Sequence, residues 1–375
     1  MVRALRIDCH NGGPIVYNDL LNLRMEYLLN QGVPIGNAVR QINLYRKDLL
    51  FSGQYPEYEE QLNKSGVSIM IRTVGIFGDP PFSADCIVKD INLLKEVCDT
   101  SGINFISDFS AVESCLSNKN KGYIPMIESI EGFRDDQELL FCLCETVLPI
   151  VQPVYNTGNF FGSGCYDEAD VGLSNIGRNM LSLFSLADTI LDHSHISEKT
   201  SMDILETGFY RNIATHTSSF ALTHNKRGKS DTLLKAFGEA GGFVAITVNP
   251  NLVSIDGLST KEAFLRNTEH ILRIVGENQV GIGTDWDGPM PSSMVKSLAL
   301  ESKKLGNSHY YLDLYSNLYN KMSDWDSMFS DLTSWFGEKL AQKISGLNAF
   351  CFLKKHMRKA TLDESQVCDF YNVCP

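Results

Sequence analysis

Five residues of this 375-residue chain carry groups that bind metals or move protons, each at or near the end of a short apolar run. His10 follows Ala4-Leu5-Arg6-Ile7, Glu128 follows Tyr123 to Ile127, and His195 follows Asp188 to Leu191. His216 closes Asn212 to Thr215, and Asp285 follows Val280 to Gly283. Groups spread this widely meet only if the fold gathers strand ends at one face, which a parallel β/α barrel does. The pattern points to a metal-dependent hydrolase.

The segments around these residues refine the chemistry. In Asp8-Cys9-His10-Asn11, side chains two apart in a strand share one side, so Asp8 and His10 are expected together. Glu128 ends an apolar run, and a carboxylate there must be paired or bind a cation if it is buried. A solvated loop glutamate is the other reading. His195 in Asp192-His193-Ser194-His195 and His216 in Thr215-His216-Thr217-Ser218-Ser219 offer two imidazoles from adjacent strands, a donor set suited to zinc. The hydroxyls of residues 215–219 could orient the ring nitrogens. In Gly283-Thr284-Asp285-Trp286-Asp287, the two carboxylates share one side of an extended segment. One could shuttle a proton while the other bonds the loop.

Strand and helix patterns alternate to position these groups. Strands are expected at Ile7 to His10, Val67 to Ile76, Asn104 to Phe109, Tyr123 to Glu128, Pro149 to Tyr155, Asp188 to His193, Asn212 to His216, Phe243 to Val248 and Val280 to Asp285. Leu20 to Leu50 reads as helix, broken near Gly32-Val33-Pro34. Further helices are expected at Ser83 to Thr100, Asp135 to Val147, Asn175 to Leu186, Glu198 to Thr207, Thr232 to Gly241 and Lys261 to Glu277. The Gly- and Asn-rich stretch Asn156 to Asp167 reads as a long loop above a barrel, and Ser292 to Asp324 as loop plus helix. The expected fold is a (β/α)8 TIM-like barrel over residues 1–357, closed by C-terminal helices from Trp335 to His356, with 358–375 a tail. A doubly wound open sheet alternates similarly but concentrates its site at one switch point, whereas polar groups here end at least five strands.

Composition excludes several classes. The formal net charge is −12 with no basic stripe to offset it, which argues against a nucleic-acid partner. No apolar stretch is long enough to span a bilayer, and the N-terminal residues carry no signal-like h-region, so a cytoplasmic location is the expectation. The ten cysteines include no Cys-x-x-Cys pair and read as reduced residues within apolar patterns, Cys86, Cys98 and Cys351 among them. Cys368 and Cys374 could pair in an oxidising setting.

Taken in order, the motifs resemble those of the membrane dipeptidase (renal dipeptidase) family of zinc peptidases. The matching landmarks are Asp8-x-His10-Asn11, Ile127-Glu128, Asp192-x-Ser194-His195, His216-Thr217-Ser218-Ser219, Arg227 through Asp231, Gly283-x-Asp285-x-Asp287-Gly288 and Ser345-Gly346-Leu347-Asn348, from residue 7 to about 355. The resemblance implies an α/β barrel that cleaves dipeptides or dipeptide-like small amides. It implies that His10 belongs to one zinc, His195 and His216 to the other, and Glu128 bridges them. Glu128 fits the family's spacing to Tyr155-Asn156 better than Glu131 does. Asp285 would pass a proton to the leaving amine, and Arg227 would bind the substrate's terminal carboxylate. Family members are often dimers, so a homodimer is one expectation.

Two positions depart from the family's pattern. Gly12 stands where the family has a metal-binding Asp, which weakens the second site and leaves one or two ions as the expectation; Asp8 or His193 could lean in as a substitute. Tyr155 stands where the family usually has a His that polarises the scissile carbonyl, and a Tyr can still donate that hydrogen bond and touch substrate. His193 also replaces a usually apolar residue. The departures admit a role on an amino-acid-derived biosynthetic intermediate, or a catalytically silent barrel that binds a peptide or partner.

Overall fold

A computed structural model describes residues 4–12, 18–76, 80–258, 260–286, 296, 318–319 and 321–360. Among the described residues there are nine parallel strands: β1 Ile7–Asn11, β2 Ile69–Val74, β3 Asn104–Phe105, β4 Gly122–Ile127, β5 Ile150–Val151, β6 Ile190–Asp192, β7 Asn212–Thr217, β8 Phe243–Ile246 and β9 Val280–Ile282. The sheet runs β2-β1-β9-β8-β7-β6-β5-β4-β3, and β2 also pairs with β4 from Ile69↔Gly122 to Val74↔Ile127. That pairing closes an eight-stranded barrel and leaves β3 outside the ring, paired with the start of β4. The expected TIM-like barrel is therefore present.

Alternation along the strands builds two cores. Ile7, Cys9, Ile69, Ile71, Ile124, Met126, Ile150, Ile190, Ile213 and Ala245 pack together within the barrel. The alternate positions, such as Met70, Tyr123, Ile127, Leu191 and Val244, join the larger core under the helices. The helix Asn348–His356 adds Ala349, Phe352, Leu353 and Met357 to the barrel cluster. Asn348 Nδ2 donates to Glu277 O and Val280 O just before and at the start of β9, so this helix closes the end opposite the site.

Most expected helices are in place, with ends set by their caps. Ser83 Oγ accepts from Cys86 N ahead of Ala84–Ser101, and Gly102 ends that helix in the left-handed conformation. Several elements differ from expectation. Asn104 to Phe109 is a strand for two residues only; Asp108 caps a helix, Phe109–Ser117, that the apolar pattern concealed. The helix Pro56–Ser65 was not anticipated, because its charged surface hides the buried face of Tyr58 and Leu62. The fifth strand is confined to Ile150–Val151, and Gln152 to Tyr155 leaves the sheet towards the site. Cys351 is exposed rather than buried; all eight cysteines among the described residues are free. Cys368, Cys374, Asp287 and most of Ser292 to Asp324 lie outside the described residues. Arg358, placed in the tail by sequence, donates through Nε to Ser107 O and through Nη1 to Cys144 O, which ties it to the barrel. Among the described residues, no helix is long and apolar enough to cross a membrane.

Candidate metal centre

The C-terminal ends of β1, β4, β6, β7 and β9 bring His10, Glu128, His195, His216 and Asp285 together. Glu128 Oε1 lies 3.3 Å from His10 Nε2 and 3.6 Å from both His195 Nε2 and His216 Nε2. The two latter nitrogens are 2.9 Å apart. Zinc held at 2.0–2.2 Å by tetrahedral donors separates them by about 3.3–3.6 Å. Both Glu128 separations fall at the top of that range, and the His195–His216 separation is shorter by about 0.4 Å, a difference that a small turn of either ring removes, so the donor set suits such an ion. All three are buried. The alternative expectation for Glu128, a solvated loop residue, does not hold, whereas Glu131 is exposed and pairs with Arg134 at 2.8 Å.

Hydrogen bonds outside this cluster fix which nitrogen each ring presents. His195 Nδ1 donates to Asn156 Oδ1 at 2.7 Å, leaving the Nε2 lone pair facing inward. For His216 the argument runs through Asp192. Its carboxylate accepts from Thr215 N (2.9 Å), Thr215 Oγ1 (2.6 Å), Ser194 N (3.0 Å) and Ser194 Oγ (2.7 Å). Thr215 has spent its hydroxyl proton on Asp192, so Thr215 Oγ1 accepts from His216 Nδ1 at 2.9 Å and Nε2 again carries the lone pair. Burial holds the pKa of His195 and of His216 well below the usual value, with Arg227 adding to the effect on both rings. Neutral imidazoles are what a metal requires.

The expected row of orienting hydroxyls is narrower than the sequence suggests. Thr215 alone reaches His216; Thr217 Oγ1 donates to Arg227 O, and Ser218 Oγ and Ser219 Oγ are buried without a hydrogen-bond partner among the described residues. Asp8 does not lean in as a substitute ligand. It repeats the Asp192 device between β1 and β9, accepting from Thr284 N (2.8 Å), Thr284 Oγ1 (2.6 Å) and Asn11 Nδ2 (3.1 Å). Burial pushes its pKa up to about 6, against the pull of these donors. Nor does His193 join the cluster: its Nε2 bonds Asn212 Oδ1 at 3.0 Å and its ring meets Phe237 edge-on.

Asp285 adopts φ +55°, a left-handed conformation rare outside glycine. Its Oδ1 lies 3.7 Å from His10 Nε2, and its Oδ2 accepts from Asn249 Nδ2 at 3.0 Å. Asn249 Oδ1 meanwhile caps Pro250–Val253 by accepting from Asn251 N, which turns its amide N–H towards Asp285. Sequence reasoning missed Asn249; the signal was an Asn-Pro pair ending β8 on the face where the other site residues emerge. Burial raises the Asp285 pKa to about 6, with Arg227 and Asn249 opposing.

The surroundings are aromatic on one side and cationic on another. Tyr155 stacks on His195 at 4.3 Å between centroids, and Phe82 meets Tyr155 at 5.0 Å. Arg227 is 1% exposed; its Nη1 donates to Ser194 O, and its charge bears on all three histidines. Lys229, also missed from sequence, is buried, and its Nζ donates to His193 O at 2.6 Å and Ile196 O at 3.0 Å.

A model of the membrane dipeptidase family, peptidase family M19, matches residues 60–321. The chain belongs to the membrane dipeptidase family. This is a family of metallo-dipeptidases, zinc-dependent hydrolases of the peptide bond. An uncharacterized protein in the pqqA 5' region of Klebsiella pneumoniae is 25% identical over 223 residues, 56% of this chain and 81% of that protein. The dipeptidase tcpJ of Claviceps purpurea is 31% identical over 137 residues, 36% of this chain and 32% of its own length. Among solved structures, an amidohydrolase from Pseudomonas aeruginosa superposes with TM-score 0.70 at 19% identity, covering 94% of this chain and 96% of that one. A Rhodobacter sphaeroides metallo peptidase, liganded with a phosphinate mimic of the dipeptide L-Ala-D-Ala, gives 0.68 at 17% identity, covering 94% of this chain and 100% of that chain. At these identities the structural likeness establishes the fold.

Proposed function

We propose that this chain is a zinc hydrolase of dipeptides or dipeptide-like small amides, with Glu128, His195 and His216 as the metal ligands. The observation that carries the reading is the convergence of two tautomer-fixed imidazoles and one buried carboxylate at metal-ligand separations. A His₂Glu set leaves a position open for water, as catalytic zinc sites do. Zinc bound there would lower the pKa of that water and polarise the scissile carbonyl. Family membership and a fold shared with a peptidase that binds a dipeptide mimic support the substrate class.

The chain's own residues take the remaining roles. Asp285, turned inward by its backbone and bonded by Asn249, carries a proton to the leaving amine. Tyr155 lies over His195, where its hydroxyl could donate to the carbonyl oxygen. Arg227 holds positive charge beside the cluster for the substrate's terminal carboxylate. A silent binding barrel would have no use for a strained, oriented proton carrier, so the geometry favours an enzyme. Gly12 and Tyr155 support a specialised substrate, such as an amino-acid-derived intermediate in biosynthesis, over broad dipeptide scavenging.

The test is metal content together with turnover on a dipeptide panel that includes D-residues at the C-terminal position. Purified protein should hold zinc, and His195→Ala should lose both the ion and activity. Full turnover by chelator-treated protein would refute the mechanism.

A further inference from the structure

We infer that Phe82 is a positioning residue for turnover: its ring, presented from a left-handed backbone, holds the Tyr155 ring in place over His195. The inference rests on the hydrolase reading and on Tyr155 as donor to the scissile carbonyl, and it names what fixes that donor's aim.

Tyr155 needs such support because of where it sits. β5 ends at Val151, and Gln152 to Tyr155 runs on outside the sheet, so no strand ladder sets the path of residue 155. Asn156 follows in the left-handed region at φ +63°, which turns the chain again directly after it. The phenol is partly exposed, and a side chain in such a segment takes its direction from packing. Two rings supply that packing. His195 stacks on Tyr155 at 4.3 Å and 24°, and Phe82 meets it at 5.0 Å and 47°. The Phe82 separation and tilt are those that aromatic pairs favour. A donor aimed at a developing oxyanion works only within a narrow range of positions, so a ring free to swing would lose much of its effect.

Phe82 is itself held in an unusual way. Its φ is +58°, a region that a bulky side chain rarely occupies and glycine takes freely. The surrounding backbone fixes it there. Phe82 N donates to Gly75 O at 2.8 Å, closing the connection from β2 to the helix Ala84–Ser101. Ser83 forms an isolated parallel bridge with Gly132, and a Cβ on Gly132 would lie 2.2 Å from Phe82 O and 2.6 Å from Ala84 N. The turn is thus wedged against the loop that follows Glu128. A turn of this shape needed for the backbone alone is met by glycine. With phenylalanine the chain accepts local strain and gains a ring, 7% exposed, packed on Tyr155. Strain of this kind persists where surrounding contacts over-determine it, and it clusters at functional sites. The competing explanation is an apolar cover for the helix, one residue ahead of its Ser83 cap. That role predicts a loss of stability, not of kcat alone.

The experiment compares kcat, KM and zinc content in the parent, Phe82→Gly, Tyr155→Phe and the double variant. Glycine is the informative replacement because it keeps the left-handed backbone without strain while removing the ring. Phe82→Gly should hold the parent's zinc and lose about ten- to hundredfold in kcat, with KM within about threefold. Tyr155→Phe should lose at least about tenfold in kcat. The double variant should stay within about threefold of Tyr155→Phe, because the hydroxyl that Phe82 aims is already gone. If Phe82→Gly fails to fold, Phe82→Leu, which keeps apolar bulk without a flat ring, takes its place in the same cycle. Losses that multiply in the double variant overturn the inference. So does Phe82→Gly with parental kcat and reduced stability, the signature of a helix cover. A fall in zinc content with Phe82→Gly overturns it as well, by placing the effect at His195. Parental turnover in Tyr155→Phe removes the role of Tyr155 and the inference with it, while the hydrolase reading stands. A folded parent that binds no zinc refutes the hydrolase reading on which both rest.

Discussion

Asp285 and Asn249 show how far a single side chain's role depends on its neighbours. A carboxylate whose pKa is raised to about 6 is poised to accept and release a proton near neutral pH. Asn249 donates to one oxygen, Oδ2, and so leaves Oδ1 turned to His10. Asp285→Asn should keep its zinc and lose about 10²–10⁴-fold in kcat, the usual worth of a positioned proton carrier. Asn249→Ala should lose about tenfold or more in kcat with zinc content unchanged, because Asp285 keeps its chemistry but not its orientation. Equal kcat for Asn249→Ala and the parent, measured at saturating substrate, would show that the amide only caps its helix.

At the level of elements, strand ends are tied in pairs. Asp192 links β6 to β7 and Asp8 links β1 to the end of β9, each through a Thr that donates both its N–H and its hydroxyl. Gly283, beside the second link, lets the end of β9 pass close to β7: a Cβ there would lie 1.7 Å from Thr215 O. Gly283→Ala must therefore push β9 off β7, and should cost about 3 kcal/mol or more in denaturant unfolding. The loop 193–196 is tied from the other side, where Arg227 and Lys229 together hold the carbonyls of His193, Ser194 and Ile196. Lys229→Met retains the stem and removes the donors. It should fold and bind zinc about tenfold more weakly, since His195 rides on that loop. Unaltered zinc affinity in a competition assay would show that Arg227 suffices.

The whole molecule carries an acid sensitivity remote from the site. His356 ends the closing helix, 3% exposed, packed on Phe352 and near Tyr210. Burial first, then Lys355 and Arg211, lower its pKa to about 4 from the ordinary 6.5. The unfolded chain therefore binds this proton at a higher pH than the folded one. Its contribution to stability is full above about pH 6.5 and is lost as pH falls towards 4. His356→Leu should shrink the drop in Tm between pH 7 and pH 5 relative to the parent. A parallel pH profile for the two proteins would assign the acid limb to other groups, such as the buried His193.

Much of this was legible in the sequence because barrel strands are short, apolar and bounded by polar groups. The period of those runs determined the β/α alternation, and the residues ending them marked the candidate site. The structure alone decided how the ends are aimed. Register shifts fall between Asp8 and Asn11 and between Ala214 and Thr217, so regular alternation fails in the stretches that carry His10 and His216. Asp8, expected beside His10, turns instead to Thr284. Asn249 and Lys229 were invisible because their partners lie 36 and 33–36 residues away in the chain. The histidines look alike as letters; hydrogen bonds made through Asn156 and through Thr215 and Asp192 fix which nitrogen His195 and His216 turn inward. Local pattern fixes an element, but a tautomer and an approach angle depend on contacts that exist only once the barrel has closed.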